Sequence, residues 1–173
     1  SLAFRAFYAL PDTLVTSSGQ VTNAVYGFTA MLIKLFADEK PDGVIVCFDK
    51  GAPQFRIDSY AEYKGNRPAT PDVFRQQLPL IREVLQALRI LAVELEGYEA
   101  DDLLATLTKR AREEGDEVLV ITGDRDCLQP VTDGVGVMMT RRAITDVIPY
   151  DRSTVLESIG VPPPIVMDDA RLG

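Results

Sequence analysis

The runs GVIVCF (Gly43–Phe48) and EVLVIT (Glu117–Thr122) restrict the fold more than any other feature of this chain. Each is a short apolar stretch with no polar alternation. Such a run reads as a strand covered on both faces, and strands of that kind belong to parallel sheets flanked by helices. A further strand is expected over Arg89–Leu95. Between it and EVLVIT, Leu103, Leu104, Leu107 and Ala111 recur at the spacing of one helix face. Strand, helix and strand in that order form a βαβ unit, which predicts parallel pairing with a right-handed crossover.

The remaining segments fit the same class. Ser1–Leu10 sets apolar and aromatic residues around a single Arg5, and begins in mid-pattern. Pro11–Gln20 reads as a loop, and Val21–Asp38 as a helix with its stripe on Val25, Phe28, Leu32 and Phe36, broken before Pro41. Thr70-Pro71-Asp72 predicts a helix start, with Thr70 as N-cap and Pro71 at the first helical position, running to Leu88 with a bend at Pro79. The helix over Leu103 is expected to end near Gly115. Val135–Met139 and Ala143–Ile148 read as two strands of a β-hairpin or sheet edge around Thr140-Arg141-Arg142. Asp151 is expected to cap a short helix ending at Gly160, ahead of a rigid break at Pro162–Pro164.

Against this frame the acids stand out. Glu99, Asp101 and Asp102 fall within four residues at the head of the predicted helix. Acids there are favoured by the helix dipole, by about 0.3–1 kcal/mol each. Three together also repel one another, and a hard divalent cation among them relieves that repulsion. Asp49 follows GVIVCF at once, and Asp124 and Asp126 follow EVLVIT. Each of these positions also suits turn chemistry. In open α/β sheets, however, the carboxyl ends of strands are where ligands bind. The three acidic sites are therefore expected on one edge, as a cluster suited to divalent cations. Two such ions are the usual device for phosphodiester hydrolysis.

Composition narrows the chemistry. The 173 residues suffice for one domain with a real core. The chain has no histidine, which excludes a histidine base or a histidine-rich metal site. Two cysteines, Cys47 and Cys127, make no disulfide framework and fit a reducing cytoplasm. No signal peptide is visible, and no apolar run approaches the ~20 residues that span a bilayer. The net charge of −8 is uneven, since Lys50–Arg82 carries +3. Within that region Phe55, Arg56, Tyr60, Tyr63, Lys64 and Arg67 alternate rings with cations. Such a mix can clamp a single nucleic-acid strand, or equally cover a core edge in a solvated loop.

GYEADDLLATL and VITGDRDCLQ resemble the 5′-nuclease (flap endonuclease, 5′-3′ exonuclease) domain found at the N-terminus of bacterial DNA polymerases of the first family. SLAFRAFYAL, TNAVYGF, FDKGAPQFR and YKGNRPATPD resemble its other blocks, in the same order, so the resemblance covers residues 1–173. It implies an α/β, PIN-like, three-layer fold with a mostly parallel sheet and a helical arch. It implies Mg²⁺- or Mn²⁺-dependent cutting of 5′ flaps and 5′ ends of DNA and of RNA–DNA primers, in replication and repair. Carried over by motif, Asp49, Glu99, Asp101, Asp102, Asp124 and Asp126 are metal-site carboxylates. Arg56, Tyr63, Lys64 and Arg67 belong to the arch over a threaded strand, and Arg5 and Tyr8 lie near the scissile phosphate and terminal base. A cytoplasmic monomer, with a polymerase covalently linked in the parent protein, is also implied.

The family's first aspartate, in an Asp-Gly-x-Ser motif, would fall ahead of Ser1. Its last acidic pair and a helix-hairpin-helix element would fall beyond Gly173. The sequence is therefore expected to be truncated at both ends, with an incomplete second metal site. Two other readings compete: a flap-binding module that does not cut, and a small-molecule phosphatase with an Asp-x-Asp nucleophile, in which the Tyr/Arg/Lys segment has no role.

Overall fold

A computed structural model of the chain describes residues 2–50, 69–123, 134–140 and 147–150. The expectations for the Tyr/Arg/Lys segment, for Asp124 and Asp126, and for the helix after Asp151 lie outside these residues. The chain divides into two compact units, Ala3–Leu103 and Ser1–Leu2 with Leu104–Gly173.

In the first unit, α1 (Leu2–Ala9) buries Ala3 and Ala6, three residues apart on one face. The aromatic residues of Ser1–Leu10 thus ride on a helix. Phe4 and Phe7 meet Phe74 edge-on, with ring centroids 5.1 and 5.5 Å apart. A loop closed by a Val15–Val21 bridge leads to α2 (Asn23–Glu39). This helix buries Ala24, Gly27, Phe28, Met31 and Leu32. Phe36, expected in that stripe, is 39% exposed. Lys40, in the left-handed conformation at φ 49°, ends the helix before Pro41.

The predicted helix from Thr70 to Leu88 is two helices, α3 (Asp72–Arg75) and α4 (Leu78–Ala87). Pro71, not Thr70, is the N-cap of α3, and no side chain caps it. Pro79 sits in the first turn of α4, where its missing N–H costs nothing, so it opens a helix and does not bend one. The chain turns between the two at Gln77, which is fully buried. Gln77 Oε1 accepts from the amides of Ala24 (2.8 Å) and Val25 (3.3 Å). Its Nε2 donates to Asn23 Oδ1 (2.9 Å) and to the Val73 carbonyl (3.2 Å). Asn23 Nδ2 in turn donates to the Phe7 and Leu10 carbonyls. The start of α2 is thus capped from more than 50 residues away. The network satisfies polar groups that would be costly to bury alone.

Ile81 and Leu85 of α4 are fully buried. The helix closes in a Schellman motif: Ile90 N donates to Leu85 O and Arg89 N to Gln86 O, with Arg89 at φ 57°. Arg89 is therefore a helix terminator and not the start of a strand. The short strands β1 (Ile45–Cys47) and β2 (Leu91–Val93) pair in parallel, Ile45 opposite Leu91 and Cys47 opposite Val93.

A turn through Gly97, at φ 80°, leads into α5 (Ala100–Glu114). The helix ends at Gly115, as expected, again with a Schellman pair: Asp116 N to Ala111 O and Gly115 N to Arg112 O. In the second unit β3 (Val118–Thr122) pairs in parallel with β4 (Val135–Thr140), which pairs antiparallel with β5 (Val147–Tyr150). Val135, Val137 and Met139 alternate inward onto Val120, with Leu104 and Val118 packed against them. The last strand is described over Val147–Tyr150, while the expected start at Ala143 lies outside the described residues. Among the described residues β2 and β3 do not pair with each other. The strand-like spacing around α5 is real; the partners are β1 for β2 and β4 for β3.

Candidate functional site

The acid at the tip of β1 meets the head of α5. Asp49 leaves the strand directly after Phe48, and its Oδ1 accepts a 2.8 Å hydrogen bond from the Ala100 amide. That amide is one of the orphan donors of a helix N-terminus, so a carboxylate is a favourable partner for it. One residue earlier, the Glu99 amide donates to Asp102 Oδ2 at 2.9 Å. This is half of a capping box, with the third helical residue reaching back to the N-cap. Asp49 and Asp102 therefore occupy successive amides of one helix start. The Glu99 side chain is buried, only 6% exposed, while Asp101 is exposed. A single amide does not exhaust a carboxylate, which offers about four lone-pair directions.

The base of this site carries a second arrangement. Glu94 follows β2 as Asp49 follows β1. Its Oε1 lies 3.1 Å from Lys50 Nζ, and its Oε2 pairs with Arg82 of α4. The Arg82 guanidinium also lies over the Phe48 ring, 4.3 Å from its centroid. The hydrogen bonds from Lys50, then Arg82, hold the Glu94 carboxyl below its ordinary range. Burial pushes the Cys47 thiol upward, which favours its protonated form.

The other predicted positions are distributed as follows. Arg5 and Tyr8 are exposed on α1, Tyr8 by 66%. Arg56, Tyr63, Lys64, Arg67, Asp124 and Asp126 lie outside the described residues. Among the described residues no three Asp, Glu, His or Cys side chains form a group able to hold a metal ion. The donor chemistry nonetheless suits a hard cation: the chain has no histidine, and the acids at the β1 tip and α5 head offer only oxygen. Glu94, Lys50 and Arg82 were not singled out by sequence reasoning. The sequence pattern puts Glu94 inside the expected Arg89–Leu95 strand, and only the end of β2 at Val93 makes it a strand-end acid like Asp49.

The profile of the 5′-3′ exonuclease, N-terminal resolvase-like domain matches residues 1–160. DNA polymerase I of Bacillus caldotenax is 49% identical over 168 residues, which are 97% of this chain and 19% of that protein. The chain thus spans about a fifth of the length of the curated relatives it matches. Among solved structures, T5 5′-exonuclease with bound zinc ions superposes with a TM-score of 0.71 at 21% identity, covering 96% of this chain and 60% of that one. The T5 flap endonuclease in a pseudo-enzyme–product complex with DNA and metal ions gives a TM-score of 0.66 at 24% identity, covering 79% of this chain and 53% of that one. No described helix is long and apolar enough to cross a membrane.

Proposed function

The chain belongs to the 5′-3′ exonuclease, N-terminal resolvase-like domain family, and on that premise we propose that it is a metal-dependent nuclease domain. It hydrolyses phosphodiester bonds at 5′ ends and 5′ flaps of DNA, and in RNA primers, during replication and repair. The observation that carries this reading is the Asp49–Ala100 hydrogen bond, which brings a strand-tip carboxylate to an acidic helix head.

Asp49, Glu99, Asp101, Asp102, Asp124 and Asp126 would hold Mg²⁺ or Mn²⁺. When bound, a pair of such ions lowers the pKa of an attacking water and stabilises the leaving oxygen. The chain's own residues set up that chemistry. The amides of Glu99 and Ala100 orient Asp102 and Asp49 before any ion arrives, which lowers the ordering cost of binding. Arg5, Arg56, Lys64 and Arg67 supply cations for phosphates, and Tyr8 and Tyr63 supply rings on which unpaired bases stack. The +3 of Lys50–Arg82 offsets the acidic remainder where the nucleic acid would lie. A cytoplasmic protein with a linked polymerase fits the DNA polymerase I relatives.

Cleavage of a 5′-flap duplex in Mg²⁺ tests the reading. Asp124→Asn should lower the rate by at least about 100-fold, as loss of a carboxylate ligand requires. Undiminished cleavage by that variant would remove the carboxylate assignment. In a second reading the chain holds flap DNA without cutting. Flap binding in Ca²⁺ with no product in Mg²⁺ or Mn²⁺ would select it.

A further inference from the structure

The β1–β2 ladder stops just short of the candidate site. Its last register pair is Cys47 opposite Val93, and its last backbone bond runs from Phe48 N to Val93 O at 2.9 Å. Asp49 and Lys50 on one strand, and Glu94 on the other, lie beyond it. Side chains take over at that point. Lys50 reaches Glu94 at 3.1 Å, Glu94 pairs with Arg82, and Arg82 covers the Phe48 ring at 4.3 Å. The residues before and after Asp49 are thus both held by one carboxylate and its two cations.

We propose that Glu94 is a positioning residue for Asp49: by gripping Lys50 and Arg82 together it fixes the backbone on both sides of that aspartate, and so sets its affinity for a divalent cation. The inference rests on the reading of Asp49 as a metal ligand. The three side chains are partly exposed, Lys50 by 50%, Arg82 by 40% and Glu94 by 31%. Ion pairs so open to water contribute little to folding. The role of the latch is therefore geometric: it continues the strand pairing where the amide ladder has ended, and leaves the Asp49 carboxylate aimed at the first turn of α5. Arg suits its part because a planar guanidinium can bind a carboxylate edge-on and lie over a ring at once.

The test measures Mn²⁺ binding by water-proton relaxation, which needs no turnover, beside urea unfolding of the same samples. Glu94→Ala and Arg82→Met should each weaken Mn²⁺ binding by about tenfold, the range seen when the support of a metal ligand is removed. The unfolding midpoint should stay at its wild-type value. Glu94→Gln should recover part of the loss, because its amide oxygen still accepts from Arg82. In flap cleavage, the Mn²⁺ needed for half-maximal rate should rise while KM for DNA is unchanged. Wild-type Mn²⁺ binding in Glu94→Ala and Arg82→Met, with binding lost in Asp49→Asn, would overturn the latch and leave Asp49 as a ligand. Failure of the wild type to bind Mn²⁺, or wild-type binding by Asp49→Asn, would overturn the metal reading and the latch with it. Should Glu94→Ala unfold, the Gln and Arg82 variants carry the decision, and a Mn²⁺ loss no larger than their unfolded fraction counts against the proposal.

Discussion

Replacing Gln77 by Met removes a buried polar hub while nearly keeping its length and volume. The hub makes four hydrogen bonds, to Ala24 N, Val25 N, Asn23 Oδ1 and Val73 O. At about 1 kcal/mol net for each, their loss would cost about 4 kcal/mol. Two partners are not orphaned, because Ala24 N also bonds Asn23 Oδ1 at 2.9 Å. That leaves chiefly Val25 N and the second site on Val73 O without a partner, and brings the expected loss to about 3 kcal/mol. Against a total of about 5–15 kcal/mol for a domain, this is a large fraction. Urea unfolding should show a lower midpoint with an unchanged slope, and thermal melting a fall of about 6–12 °C. Gln76→Met, at the exposed neighbouring position, is the control and should stay within about 0.5 kcal/mol of wild type. A Gln77→Met loss below about 1 kcal/mol, or one equal to that of the control, would refute the claim that this side chain caps α2 from a distance.

Two other outcomes follow from single residues. Arg89 holds φ 57° at the end of α4, where a Cβ is strained; Arg89→Gly should raise stability by about 0.5–1 kcal/mol in urea unfolding, and a loss would mean that the arginine side chain holds the turn. Glu94 has a folded-state pKa below its ordinary value, so its contribution to stability is present above the unfolded carboxyl pKa of about 4.3 and is lost as pH falls through the lower folded value. Both pairings are open to water, so the stability at stake is small, and the check is the Glu94 carboxyl resonance itself: its titration midpoint should rise toward the ordinary value in Arg82→Met, and a midpoint unchanged by that substitution would remove the Arg82 pairing as a cause of the lowered value.

Much of this fold is legible in local sequence, because its signals are periodic. GVIVCF and EVLVIT mark β1 and β3, and the Leu103–Ala111 spacing marks α5. The chain's membership of the 5′-3′ exonuclease, N-terminal resolvase-like domain family agrees with the α/β reading. What local pattern does not reveal is long-range. Pro79 looks like a bend until a buried Gln77 is seen to stop one helix and orient the next. Arg89 looks like strand, because nothing in its neighbours announces a left-handed arginine. β2 and β3 flank a helix in the manner of a βαβ unit, yet each finds its hydrogen-bonded partner elsewhere. At the site, the strand-end position of Asp49 is readable from the apolar run before it. Its bond to Ala100 is not, since no periodicity couples residues 51 apart.

That bond has a consequence for how the acidic turn comes into being. An ordinary helix supplies its own cap from the residue next door and can begin to wind as soon as that residue is made. Here one of the first amides of α5 waits for a carboxylate from the tip of β1, 51 residues upstream, and loop closure must come before that contact can form. The head of the helix is thereby a reporter of assembly: it is finished only in molecules whose earlier strand is already in place, and a misfolded chain presents the same acids in the same order with nothing holding them in register.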